Sequence, residues 1–394
     1  MVNKPKALFL SGCDFAKYPT GGTLSFAKHM IKAFGNRLAL VGITTDETPV
    51  GQWIKKEIDG ICYDFFSIGK RNCNSARKSI VPSSLRGYCA FKQHKKAILS
   101  IGIRSAFAGC GLSFVAVRNW PWDTLCGIIH GMRNPFERPR YWYGRMAARP
   151  WNHLRISAMN RADAVFIAAD DTEIDEFFSR TKNMVDRKRL IHYGTRVDTD
   201  VFRPAAKDRS RERLGWEPQS LTIVALGRIS WVKGWDLILD TFRYLLNKHP
   251  RSRLLYVGDG EDSPMLRSKI IEHGLSDHVS LTGFVPPTLV ASYLNAADVF
   301  VMASHWEGWP TALVEALACG KPVVSSDICA ASTLVVEGQN GYVVKNRHPA
   351  AFAEAIEKAT ELKFAAEISL KLSEQYALKH LARDISRHWS VLAD

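Results

Sequence analysis

The segment ASHWEGWPTALVEALACGKPVVSSD, residues 303–327, decides the fold of this 394-residue chain. The apolar run 297–302 before it predicts a buried strand, and the apolar run 322–325 near its end predicts a second one. Between them, Pro310 is typical of the first residue of a helix because it has no N–H to leave unpaired, and Gly320 is typical of a helix end. The order of strand, helix and strand predicts a parallel α/β unit whose functional loop follows its first strand.

The start of this helix predicts a site for an anionic group. The N–H groups of Thr311 and Ala312 have no partner within the helix, and the helix dipole places positive charge beside them, which favours phosphate. Glu307 precedes the helix and Glu315 lies about one turn inside it. Carboxylates bind hydroxyl groups rather than phosphate, so the combination indicates a sugar nucleotide.

The string EGWPTALVEALACGKPVV, with seven residues between Glu307 and Glu315, resembles the Glu-x7-Glu signature of the retaining glycosyltransferases of family 4. The resemblance implies an α/β chain with the GT-B fold, in which two Rossmann-like, doubly wound domains face each other across a cleft. It implies an acceptor-side domain over residues 1–200, a nucleotide-sugar-binding domain over 201–370, and a C-terminal helix over 371–394 that crosses back to the first domain.

A second stretch places cations after a predicted strand. In LTIVALGRISWVKGW, Gly227 and Arg228 follow the apolar run, and Lys233 precedes a predicted helix. Two cations at such a point suit a diphosphate whose negative charge must be neutralised. The stretch resembles the GR-x4-KG string of the same family, which implies that Arg228 and Lys233 bind the donor phosphates. The resemblance of VSLTGFVPP to the family implies that Phe284 and Val285 contact the nucleobase.

The first 200 residues carry weaker signals. Strand 6–12 is followed by Gly21 and Gly22, which would let the backbone approach a ligand closely, although a simple turn explains them equally well. The resemblance implies that these glycines face the donor diphosphate. His130 ends the predicted strand in CGIIHGM, and the resemblance implies a role near the donor sugar and acceptor. A purely structural histidine is the alternative, with Asn119 or Asp123 near the ligand instead.

The composition predicts two ordinary domains in a reducing cytosol. Hydrophobic residues make up 46% of the chain, and its eight cysteines show no metal-ligand or disulfide pattern. The net charge is +14, and between residues 70 and 161 only Asp123 and Glu137 are acidic. Such a charge attracts nucleic acid, anionic lipid headgroups or diphosphate-bearing substrates, and does not by itself choose among them.

Two segments bear on membrane contact. Residues 97–117 are long enough to span a bilayer, but three glycines and the central Arg104 favour two short buried strands instead. Residues 134–155 interleave arginines with aromatic rings. This pattern predicts contact with a membrane surface or with a lipid-diphosphate acceptor. The alternative is an ordinary helix whose arginines cover aromatic rings of the core. We therefore expect a cytoplasmic protein with peripheral contact to the cytoplasmic membrane face.

The sequence as a whole predicts a retaining, metal-independent glycosyltransferase that uses a nucleotide-diphosphate sugar. A saccharide or lipid-linked acceptor of bacterial surface polysaccharide synthesis (O-antigen, capsule or lipopolysaccharide) is expected, and no cofactor, because no Asp-x-Asp motif ends a strand. The alternatives are a nucleotide-sugar epimerase or hydrolase and a basic nucleic-acid-binding protein, although no nucleic-acid motif is present. The donor base and sugar, the linkage and the oligomeric state stay open.

Overall fold

The structure is a computed structural model. It describes residues 4–18, 21–71, 83–131, 146–182, 184–217 and 220–392. They form two compact units. The first unit contains Met1–Gly194 together with Lys379–Asp394, and the second contains Thr195–Leu378.

The described part of the first unit has an eight-stranded sheet. Its strands are β1 (Ala7–Leu10), β2 (Leu38–Thr44), β3 (Trp53–Ile58), β4 (Ile61–Lys70), β5 (Ser105–Ala108), β6 (Thr124–Ile129), β7 (Ala164–Ile167) and β8 (Leu190–His192). The strand order is β3-β4-β2-β1-β5-β6-β7-β8, and all neighbours are parallel except β3 and β4. The helices are α1 (Gly22–Phe34), α2 (Ser83–Gln93), α3 (Lys95–Leu99), α4 (Gly111–Val117), α5 (Ala148–Met159) and α6 (Asp171–Arg180).

The second unit has a six-stranded, entirely parallel sheet within its described residues. Its strands are β9 (Thr222–Leu226), β10 (Arg253–Val257), β11 (Val279–Leu281), β12 (Val299–Met302), β13 (Val323–Ser326) and β14 (Gly341–Val344). Its helices are α7 (Lys207–Leu214), α8 (Trp235–Leu246), α9 (Ser263–Glu272), α10 (Pro287–Ala296), α11 (Thr311–Ala318), α12 (Ala331–Leu334), α13 (Pro349–Thr360) and α14 (Ala365–Glu374).

The strand order of this second sheet determines where a ligand can bind. The order β11-β10-β9-β12-β13-β14 is that of a doubly wound dinucleotide-binding sheet, in which the direction of winding reverses between the first and fourth strands. Here those strands are β9 and β12. The loops that leave their carboxyl ends diverge to opposite faces of the sheet, so a crevice opens between them.

Close backbone contacts hold the loops at this edge together. Gly227 N–H donates to the carbonyl of Val257 at 3.0 Å, and Gly258 pairs with Gly283 in an isolated bridge. A Cβ atom on Gly258 would overlap the carbonyl oxygen of Gly227, and the φ of Gly258 is 135°. Only glycine meets both demands, so the loops after β9, β10 and β11 pack backbone to backbone.

The C-terminal segment packs in the first unit. After the short helix α15 (Leu381–Ser386), the ring of Trp389 lies 5.4 Å from that of Phe107, and its indole N–H donates to Thr124 Oγ1 at 3.1 Å. Trp389 is 1% exposed, so it is part of the core. In place of one helix over 371–394, the structure has the end of α14, α15 and short 3₁₀ turns.

The prediction for residues 97–117 is wrong in part. The structure has the end of α3, strand β5 and helix α4 there, rather than two strands. The glycines after β5 begin a helix, because Cys110 and Ser113 form a reciprocal cap around its first turn. None of the helices in the described ranges has the length and apolar character needed to cross a bilayer. Residues 134–145 lie outside the described residues, and 148–155 belong to α5.

Replacing Trp389 tests the importance of the C-terminal segment. Trp389→Ala removes a buried ring and leaves a cavity, so we expect the first unit to lose ~3–5 kcal/mol of stability. The lowest unfolding transition in differential scanning calorimetry measures this loss. Arg387→Ala is the matched control because that side chain is 64% exposed. Equal melting of the two variants would contradict the assignment.

Candidate functional site

The loops after β9 and β12 bring together the charged residues predicted from the two motifs. Gly227, Arg228 and Lys233 line one cleft with Ser304, and Glu307 contacts Lys233 from the β12 loop. Arg228 is exposed at its surface. The cleft therefore lies at the switch point of the second sheet, where a doubly wound fold binds its ligands.

An ion pair joins the two loops. Lys233 Nζ lies 2.5 Å from Glu307 Oε1, and Ser304 Oγ donates to the same oxygen at 2.6 Å. The two charged side chains are 30% and 12% exposed. Oε2 of Glu307 has no hydrogen-bond partner in the described part of the chain. One carboxylate oxygen is thus held in place, and the other can accept a hydrogen bond from a ligand.

The start of the β12 loop is anchored by its carbonyl groups. Arg347 Nη1 donates to the carbonyls of Ala303 and Ser304 at 2.8 and 3.0 Å, and Ser326 Oγ donates to that of Ser304 at 2.6 Å. Gly234 packs against Ala303 so closely that a Cβ atom would overlap the carbonyl oxygen. The position of Ser304, and through it of Glu307, is therefore fixed by backbone contacts.

Helix α11 begins one residue later than predicted. Pro310 is the N-cap, with φ −77° and ψ 87°, and Thr311 is the first helical residue. The reason is that the carbonyl of Pro310 accepts from the N–H groups of Leu313 and Val314, which is the role of a capping residue. The N–H groups of Thr311 and Ala312 have no partner among the described residues. The predicted pair of free donors is therefore present.

Glu315 lies on the second turn of α11 and makes no side-chain hydrogen bond with the described residues. Its side chain is partly exposed, and desolvation by the surrounding protein raises its pKa to about 8. Lys321, which follows the same helix, donates to the carbonyls of Asn295 and Ala297 and does not neutralise it. Glu315 is thus mostly protonated at neutral pH.

Phe284 and Val285 follow β11 at the same edge of the sheet. The preceding Thr282 N–H donates to the carbonyl of Tyr256 at 3.0 Å, which aligns this loop with the one after β10. Phe284 is 71% exposed, although an aromatic side chain of this size is usually buried. Its ring is therefore accessible to a ligand at that edge.

In the first unit, His130 and the two glycines lie near α1. Gly21 is the N-cap of α1 with φ 112°, and Gly22 is the first helical residue. His130 follows β6, contacts the ring of Phe26 edge-on at 5.7 Å, and donates from Nε2 to the carbonyl of Gly109 at 3.3 Å. His130 is exposed to solvent by its surface area, and desolvation by the neighbouring protein nevertheless lowers its pKa.

Several residues of the second-unit site were not predicted from the sequence. Ser304 and Arg347 position Glu307, and Trp231 and His305 stack on each other from the same two loops. Arg347 follows β14, forty residues after Glu307, and no motif connects the two. The one sequence signal for these contacts was the spacing of Ser304 and Glu307. A serine three residues before a glutamate can form a hydrogen bond with it across a short loop.

Comparison with known proteins gives a family match to the second unit. Residues 206–377 match the model of the glycosyl transferases group 1 family. A D-inositol 3-phosphate glycosyltransferase of Acidothermus cellulolyticus is 30% identical over 222 residues, which are 52% of this chain and 49% of the relative. The chain thus spans about half the length of the curated relatives it matches.

Solved structures match over nearly the whole chain. A sucrose-phosphate synthase of Thermosynechococcus elongatus has a TM-score of 0.77 at 16% identity, with 98% of each chain covered. The Anabaena protein HepE in complex with UDP and glucose has a TM-score of 0.74 at 18% identity, covering 98% of this chain and 99% of HepE. These matches confirm the predicted fold class, GT-B with two Rossmann-like sheets.

The raised pKa of Glu315 predicts a pH dependence of stability. The folded state binds this proton more tightly than the unfolded state, so the favourable contribution is complete below about 4.5 and is lost as pH rises through about 8. As the pH rises from about 4.5 to about 8, the stability of Glu315→Gln should therefore increase relative to that of the parent protein, by up to ~1.4 kcal/mol per pH unit. Melting temperatures at pH 5 to 9 measure this, with the exposed Glu367→Gln as control. A difference between Glu315→Gln and the parent protein that stays constant with pH would contradict the pKa shift.

Proposed function

We propose that this chain, whose residues 206–377 match the glycosyl transferases group 1 family, is a retaining glycosyltransferase. It would transfer a sugar from a nucleotide-diphosphate sugar to an acceptor. The observation that carries the proposal is the Lys233–Glu307 ion pair at the switch point, which puts a cation and a hydroxyl-binding carboxylate side by side. A sugar diphosphate has the complementary pair of groups at its glycosidic end.

Such a reaction requires stabilisation of the negative charge on the departing nucleotide. When the glycosidic bond breaks, negative charge develops on the phosphate oxygen, and fixed positive groups stabilise it. We assign this to Arg228 and Lys233, with the free N–H groups of Thr311 and Ala312 for the terminal oxygens. The flexible Arg228 side chain can reach the phosphates from the cleft surface, whereas Lys233 is held by Glu307.

Glu307 is assigned to the hydroxyl groups of the transferred sugar. Its Oε1 is engaged by Lys233 and Ser304, which leaves Oε2 for a sugar hydroxyl. A carboxylate oriented by two donors presents this second oxygen in one direction only. The contact would fix the sugar ring relative to the diphosphate, which lowers the entropic cost of reaching the transition state.

Glu315 is assigned to the ribose hydroxyls, and the exposed loop with Phe284 and Val285 to the nucleobase. Gly227 allows the backbone to approach the diphosphate between these groups. The solved relative HepE contains UDP and glucose, which makes UDP-sugars the first donors to test. Ionised Glu315 can accept from two hydroxyls, and the absence of a competing partner in the described part of the chain suits that role.

The roles of His130, Gly21 and Gly22 are proposals for the first unit. His130 would lie near the sugar and acceptor, and the two glycines would approach the diphosphate. The acceptor would attack on the face that the nucleotide leaves, with the leaving phosphate as base, which retains the configuration. The acceptor is proposed to be a saccharide or lipid-linked saccharide of a bacterial surface polysaccharide, with the protein cytoplasmic and peripheral on the membrane.

Donor binding followed by product analysis tests the proposal. Thermal shift against a panel of nucleotide sugars identifies the donor, and mass spectrometry of reactions with candidate acceptors identifies the product. A sugar–acceptor adduct is the expected result. Complete turnover of the donor without any acceptor would indicate an epimerase or hydrolase instead, and salt-dependent binding of nucleic acid without sugar-nucleotide binding would indicate the non-enzymatic alternative.

Lys233→Ala tests the assignment of the diphosphate site. Losing a charged contact that strengthens in the transition state should lower kcat by ~10²-fold or more while the fold persists. UDP release from the donor and circular dichroism measure the two quantities. Lys269→Ala is the control, since this lysine pairs with Glu272 on an exposed helix surface. Activity of Lys233→Ala within twofold of the parent protein would refute the assignment.

Glu315 also predicts a pH dependence of donor binding. Ribose hydroxyls that donate to the carboxylate favour its ionised form, so binding should lower its pKa and release a proton. We expect the affinity for UDP-glucose, which has no terminal phosphate that titrates in this range, to rise between pH 6 and 8. Proton release should be detectable by calorimetry in buffers of different ionisation enthalpy. Glu315→Gln should remove both effects, and a pH-independent affinity in the parent protein would argue against this contact.

A further inference from the structure

The two loops that carry the Lys233–Glu307 pair also carry an aromatic side chain that the proposed chemistry does not use. Trp231 begins the 3₁₀ turn Trp231–Lys233, and 49% of its surface is exposed. Leaving half of an indole in water forgoes the hydrophobic stabilisation that burial would give. An exposed ring of this kind, on a loop whose Arg228 and Lys233 line the candidate cleft, calls for a functional explanation.

The ring is held in one orientation. It stacks on the imidazole of His305 with the centroids 4.2 Å apart and the planes 23° from parallel, and Trp306 contacts it edge-on at 5.6 Å. The backbone N–H of His305 donates to the carbonyl of Val232 at 2.8 Å, which connects the loop after β12 to the loop after β9. The exposed face of Trp231 is therefore preorganised, and a ligand would not have to order it.

His305 in turn is held by Arg347. Nη2 of Arg347 lies 3.3 Å from Nε2 of His305, within hydrogen-bond distance. The same Arg347 anchors the carbonyls of Ala303 and Ser304. The support behind Trp231 and the support behind Glu307 thus share one side chain.

The position of the rings selects the kind of ligand. Trp231 is two residues before Lys233, and Trp306 is next to Glu307, so each loop offers one aromatic and one charged group. These are the loops assigned to the diphosphate and the transferred sugar, whereas the nucleobase is assigned to Phe284 on the loop after β11. A molecule bound to Trp231 would therefore lie on a loop assigned to the sugar diphosphate rather than on the loop assigned to the base.

We propose that Trp231, backed by His305 and Trp306, is an aromatic platform that binds the apolar face of a pyranose ring of a saccharide acceptor. The C–H groups on one face of a pyranose carry partial positive charge and are attracted to the electron-rich face of an indole. The inference rests on the proposed function and adds that the acceptor is a sugar ring without charge on the stacked face. A ring that only joined the two loops would not need to present an open face.

Fluorine NMR of the full chain labelled with 5-fluorotryptophan tests the platform. The resonance of Trp231 is identified by its loss in Trp231→Phe. Methyl glycosides of glucose, galactose and N-acetylglucosamine are titrated in the presence of UDP, with inositol 3-phosphate as a phosphorylated comparison. We expect the Trp231 resonance to shift with at least one pyranoside, and Trp231→Leu to weaken that pyranoside about tenfold.

Two controls make the result specific. Tyr244→Leu removes an aromatic side chain of similar exposure, 45%, near the far end of α8, and should leave pyranoside binding unchanged. UDP binding should persist in Trp231→Leu and be lost in Lys233→Ala, so failure of the platform and failure of the donor site are distinguishable. Equal pyranoside affinity in Trp231→Leu and the parent protein, no shift with any pyranoside, or a shift with inositol 3-phosphate alone would overturn the proposal.

Discussion

The ion pair between Lys233 and Glu307 links the two halves of the second sheet. Lys233 follows β9, the first strand of one half, and Glu307 follows β12, the first strand of the other, so their contact spans the point where the winding reverses. Without a partner, either charge in this partly buried place would be costly. The pair therefore keeps the crevice defined.

The surroundings of the pair are built mainly from backbone. Glycines at 234 and 258 permit contacts that a Cβ atom would block, and Arg347 holds the loop after β12 by its carbonyls. Such contacts do not depend on the chemistry of the exposed side chains. Residues that project from the loops, Trp231 and Arg228 among them, can therefore differ in identity while the positions of Lys233 and Glu307 are kept.

The sequence was sufficient for the fold class, and it brought attention to most residues of the candidate site in the second unit, because the relevant signals are local. Pro310, Gly320 and the apolar runs around them each act within a few residues, and the charged residues stand at fixed distances from those signals. Arg347 and the stacking of Trp231 on His305 depend on strands that are far apart in sequence, so no local pattern indicates them. Residues 97–117 were misread because their apolar character does not distinguish a buried strand from a buried helix.

The place of Trp389 in the first unit has a consequence for the order of folding. Its ring completes the core beside Phe107, yet in the chain it follows the whole of the second unit. During synthesis the second unit can become compact while the hydrophobic core of the first unit still lacks Trp389. An exposed apolar surface would then persist on the nascent first unit for as long as the ribosome takes to add almost two hundred residues, and chaperones have their opportunity to bind in that interval.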